Sequence, residues 1–80
     1  MMSASVLQRV EAVFRSTFPA SHFSPELSSE DVSDWDSMRQ IHFVVGLEKE
    51  FGIRFDGATV SRMFSIPAVV EAVSRRLEEP

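Results

Sequence analysis

The stretch Trp35-Asp36-Ser37-Met38 opens directly into the most regular pattern in the chain, and that pattern constrains the fold more than any other feature. From Ser37 to Phe51 the apolar residues Met38, Ile41, Val44, Val45, Leu47 and Phe51 recur at helical spacing on one broad face, with Arg39, His42, Gly46, Lys49 and Glu50 opposite. Both ends are marked. Asp36 and Ser37 carry side-chain oxygens that can accept the orphan N–H groups of a first turn. Gln40 stands three residues after Ser37, as a capping box would place it, and Gly52 is placed for a left-handed C-cap. A helix over 37–51 with a serine hydroxyl at its start is therefore the expected centre of the fold. The helix dipole and the free N–H groups at that end favour an anion, so a phosphodiester on Ser37 would be well accommodated.

Around this centre the chain reads as helical. Val6, Leu7, Val10, Val13, Phe14 and Phe18 predict a first helix from a cap at Ser3 or Ser5 to about Phe18, with Val6, Val10, Val13 and Phe14 in the core. Pro19 ends it, because the residue before a proline is pushed out of the helical region. Residues 19–36 are rich in Ser, Pro, Asp and Glu and show no period, so they form a long loop pinned by Phe23, Leu27, Val32 and Trp35. After Gly52, Ile53-Arg54-Phe55 reads as a short extended connector and Asp56-Gly57 as a turn. Thr59 or Ser61 could cap a brief third helix with Val60, Met63 and Phe64 facing inward. The last helix has Pro67 in its first turn, Val69, Val70, Val73 and Leu77 on one side, and Arg75 and Arg76 near its C-terminal end. The expected fold class is all-α: a small four-helix bundle, three main helices plus one short third helix, with a long loop between helices one and two.

Composition narrows the function. Eighty residues predict a single domain, 1–80. A net charge of −4 with seven scattered arginines argues against nucleic-acid binding, which needs clustered Lys and Arg. No apolar run approaches a membrane span and no signal segment is visible, so a cytoplasmic monomer is expected. With no cysteine there is no disulfide, thiolate metal site or cysteine nucleophile, and any thiol chemistry must come from an attached group.

Asp36-Ser37-Met38, then Ile41, Val44 and Val45, then Leu47-Glu48-Lys49-Glu50-Phe51-Gly52-Ile53, and finally Met63-Phe64-Ser65-Ile66 together resemble an acyl carrier protein. The similarity covers about residues 32 to 78, and it is greatest to the discrete carriers that read Trp-Asp-Ser-Leu before the second helix. The resemblance implies a carrier and not an enzyme. Ser37 would receive 4′-phosphopantetheine from coenzyme A, through a separate phosphopantetheinyl transferase that uses magnesium. The arm's thiol would then hold an acyl or aminoacyl group as a thioester for acyl-loading and acyl-using enzymes. On the same resemblance Asp36 orients the helix start and contacts the transferase, and Met38 takes an apolar position that often reads Leu. Arg39 and His42 stand where the family is often acidic, which implies a specialised carrier with its own partner set.

Other classes fare less well. A serine hydrolase would need a base beside Ser37, yet of the two histidines His22 lies in the loop and His42 lies five residues along the helix, pointing away. No Gly-x-Ser-x-Gly elbow exists, and the histidines and carboxylates show no metal-ligand spacing, so no catalytic or metal residues are expected. The alternative is a non-enzymatic helical adaptor in which Ser37 is only a helix cap.

Overall fold

The pattern at 37–51 becomes α2, Ser37–Phe51, in the computed structural model, which describes residues 4–78. Before it stand α1, Ala4–Thr17, and a single 3-10 turn at Ser29–Asp31; after it come α3, Gly57–Val60, and α4, Ile66–Glu78. The described residues are all-α, with one isolated antiparallel bridge between Ser28 and Ser65. Ser5 falls inside α1 and so does not cap it, while Ser3 lies outside the described residues.

Burial explains why these elements pack. Val10 and Phe14 are buried from α1 and Phe18 just after it, Phe43, Val44, Leu47 and Phe51 from α2, and Ile66, Val69, Ala72 and Val73 from α4, with Val32, Trp35 and Met63 filling from the loops. The densest part is aromatic. Phe14 has ring centroids of Phe18, Phe43 and Trp35 at 4.7, 5.9 and 6.0 Å, and Trp35 lies 5.6 Å from Phe43 in edge-to-face contact. Trp35 and Val32 are thus true anchors of the long loop, whereas Phe23 and Leu27 are half-buried against the core.

The loop is better ordered than its composition implies. The Ser29 N–H donates to the Phe64 carbonyl at 2.8 Å, and the Ile66 N–H donates to the Leu27 carbonyl at 2.7 Å. These two bonds fasten the loop to the start of α4, where the Ser65 hydroxyl accepts the Ala68 N–H at 3.2 Å as an N-cap.

Four sequence expectations change. On α2 the inward stripe is Gln40, Phe43, Val44, Leu47 and Phe51, while Met38, Ile41 and Val45 are exposed. Two apolar stripes share this helix, and the aromatic cluster selects the one containing Phe43. Gly46 and Arg39 do not lie opposite the core in open solvent. A Cβ on Gly46 would meet Val13 Cγ1 at 2.9 Å, and an Arg39 guanidinium nitrogen donates to the Thr17 carbonyl, so this flank runs along α1. Arg9 closes the same seam lower down, pairing with the Glu50 carboxylate at 2.7 Å with its guanidinium 4.4 Å from the Phe51 ring centroid. Finally, the cap of α3 is Asp56, which accepts the Thr59 N–H at 2.7 Å; Thr59 is inside that helix and Ser61 follows it. On α4, Val69 and Val73 are buried as expected, but Leu77 is exposed.

Candidate functional site

Asp36 sits ahead of α2 in extended backbone, and its Oδ1 accepts the Arg39 N–H at 2.9 Å. Its carbonyl takes the Gln40 N–H at 2.8 Å. The capping task is thereby complete without Ser37, which is the first helical residue and is exposed. The Ser37 and Met38 N–H groups belong to the turn that an α-helix leaves without internal acceptors, so the hydroxyl stands at an uncompensated positive end. No base lies on its face of the helix, where the next residues up are Gln40 and Ile41.

Gln40 is not the partner of a capping box. It is the sole buried polar side chain among the described residues, 2% exposed, and its amide is fully used. Its Oε1 accepts the Trp35 indole N–H at 2.8 Å, and its Nε2 donates to the carbonyls of Val60 at 3.0 Å and Met63 at 2.9 Å. One side chain therefore ties the loop before Ser37, the first turn of α2 and the end of α3 into one unit.

On the outer side of α2, Met38, Ile41 and Val45 are 66%, 59% and 42% exposed and follow one another at helical spacing. His42 is exposed beside them, and Arg39 is half-buried because of its bond to α1. The structure thus brings Asp36, Ser37 and Met38 together at the exposed start of α2, with Arg39 on the flank, whereas His42 is exposed further along the helix and not beside Ser37. The sequence pattern missed Ile41 and Val45 as surface residues. The signal that separates them was Phe43, which starts the second, inward stripe.

A cavity of about 580 Å³ opens between α3 and α4, walled by Asp56, Arg62, Glu71, Arg75 and Arg76. The Asp56 carboxyl is held below the ordinary aspartate range, first by its hydrogen bonds from Thr59 and then by Arg76 and Arg62.

This all-helical backbone arrangement recurs in a solved structure. The solution NMR structure of the holo acyl carrier protein from Geobacter metallireducens matches this chain with a TM-score of 0.79 at 23% sequence identity, covering 90% of this chain and 85% of that one. The chain has the acyl carrier protein fold. No protein-family model and no curated protein sequence matches it. At this identity the likeness concerns the backbone arrangement, so the chemistry at Ser37 is argued from the residues themselves. The acyl carrier protein fold explains why so short a helix as α3 persists: Asp56 caps it and Gln40 holds its last carbonyls. Among the described residues no helix is long and apolar enough to cross a membrane, and no cluster of three His, Asp or Glu side chains is arranged to hold a metal.

Proposed function

We propose that this protein is an acyl carrier, holding an acyl or aminoacyl group as a thioester on 4′-phosphopantetheine attached to Ser37 and presenting it to partner enzymes. The observation that carries this reading is an exposed serine at the first position of α2, relieved of capping by Asp36, within the acyl carrier protein fold. The residues fit the group. Ser37 Oγ is open to solvent, and the phosphodiester anion formed on it would lie beside the Ser37 and Met38 N–H groups. In the attachment step Ser37 Oγ loses its proton and forms a new bond to phosphorus, and the nucleotide part of coenzyme A leaves. When attached, 4′-phosphopantetheine supplies a thiol to a chain that has no cysteine.

The remaining residues position and dock. Asp36 fixes the first turn that bears Ser37 and presents a carboxylate to the phosphopantetheinyl transferase. Met38, Ile41 and Val45 offer an apolar strip to the transferase and to acyl-loading and acyl-using enzymes, with His42 and Arg39 setting the charge at its edge. The protein acts as a cytoplasmic monomer without catalytic or metal residues of its own. An adaptor role with Ser37 as a mere cap has less behind it, because Asp36 performs that task.

The test is the intact mass after incubation with coenzyme A, magnesium and a broad-specificity phosphopantetheinyl transferase. A gain of one phosphopantetheine is expected in the wild type and none in a folded Ser37→Ala. Modification of Ser37→Ala, or none of the wild type with several competent transferases, would overturn the assignment.

A further inference from the structure

We infer that Gln40 selects the cargo: it seals the seam between α2 and α3 beside Ser37, so that the carried group stays at the surface and belongs to the short or polar acyl class instead of the long alkyl class. The inference rests on the carrier reading of Ser37. Gln40 lies one turn from Ser37 on the same face of α2, and next to it on the outer side is Ile41. The places beside Ser37 where an apolar tethered group could leave water are the seam beneath Gln40 and the exposed strip of Met38, Ile41 and Val45.

The seam is closed by chemistry as well as by bulk. Spreading it would strand the Gln40 amide N–H groups and the carbonyls of Val60 and Met63, and Gln40 could not turn to follow α3 without releasing the Trp35 indole N–H; all of these are satisfied in the closed arrangement. An alkyl chain offers no replacement donor or acceptor, and each buried group left unpaired opposes entry. A leucine at position 40 would remove the central amide and leave an apolar wall. The cavity between α3 and α4 includes Met63, Ala68 and Ala72 in its wall, but Arg62, Glu71, Arg75 and Arg76 stand there too and would lose hydration if an alkyl chain filled it. A short acyl group, or one bearing a hydroxyl or amine, loses little by remaining in water. The exposed strip stays available to partners because the cargo has too little apolar surface to cover it.

The experiment installs acetyl- and octanoyl-bearing arms on Ser37 from the corresponding coenzyme A analogues, each confirmed by intact mass. It then compares Tm and the position of the single tryptophan's indole N–H resonance. In the wild type the two loaded forms are expected to share one Tm and one indole position. In Gln40→Leu the octanoyl form is expected to melt several degrees above the acetyl form. A higher Tm or a displaced indole resonance in the octanoyl-loaded wild type would overturn the inference while leaving the carrier assignment intact. Equal melting of both loaded forms of a folded Gln40→Leu would remove Gln40 as the selecting residue. If Gln40→Leu does not fold, the wild-type pair alone decides. Failure of both arms to add mass at Ser37 with competent transferases would overturn the carrier reading, and this inference with it.

Discussion

Asp36 holds the start of α2 and Ser37 does not, so truncating the two should have different consequences. Ser37→Ala removes an exposed hydroxyl with no capping bond, and its unfolding free energy in urea should stay within about 0.5 kcal/mol of the wild type. Asp36→Ala leaves the Arg39 N–H without its acceptor and should cost about 1 kcal/mol. A Ser37→Ala variant as destabilised as Asp36→Ala would show that the serine has a structural task after all. Asp56 offers a pH test at the same scale. Its carboxyl titrates lower in the folded chain than in the unfolded one, chiefly through Thr59, so it contributes stability above the ordinary aspartate value. That contribution is lost as pH falls through the depressed folded-state value. Asp56→Asn keeps an acceptor for the Thr59 N–H but loses the charge, so the stability gap between it and the wild type should shrink on acidification through that window. A gap that stays constant across an acid titration followed by circular dichroism would count against this account.

At the scale of elements, periodicity located α1, α2 and α4 because caps and breakers bound them, and α2 runs from Ser37 to Phe51 as expected. It did not fix how α2 is rotated. Met38, Ile41 and Val45 form one apolar stripe and Phe43, Leu47 and Phe51 another, and only the rings of Phe14, Phe18 and Trp35 decide which faces inward. The same limit applies to the loop, whose order depends on bonds from Leu27 and Ser29 to residues near α4 that no local pattern encodes. Ser37 could be singled out in the sequence as the candidate because a helix start is a local pattern and the motif around it resembles a known family. Gln40 could not, because its partners Val60 and Met63 lie 20 and 23 residues away. The rotation makes two predictions. Gly46→Leu would drive a side chain into Val13, a stiff β-branched neighbour, and overpacking should lower stability by about 1–3 kcal/mol in a thermal melt. Ile41→Asp sits on the outer stripe and should leave the melt nearly unchanged while raising the transferase's KM for this protein. A large loss of Tm in Ile41→Asp would mean that the stripe is buried in solution.

The whole molecule depends on one small core, and this links stability to the proposed function. A folded chain of 80 residues at about 0.05–0.15 kcal/mol per residue holds roughly 4–12 kcal/mol in all. Phe14 is fully buried at the centre of the aromatic cluster, touching the rings of Phe18, Phe23 and Trp35 from the segment after α1 and of Phe43 from α2. Phe14→Ala should cost about 3–5 kcal/mol, a large part of that total, because the surrounding rings cannot collapse fully into the space. Trp35 packs against Phe14 and also bonds Gln40, so losing the ring should loosen the first turn of α2 even where the chain stays folded. The expected outcome is a strongly lowered urea midpoint by tryptophan emission and slow or absent attachment at Ser37, although the serine and its cap are chemically intact. Phe14→Leu, which keeps most of the volume, should recover attachment and much of the midpoint. If Phe14→Ala melts as predicted yet is modified at the wild-type rate, the transferase reads the Asp36-Ser37 segment without the bundle behind it, and the folded helix start is not what presents the hydroxyl.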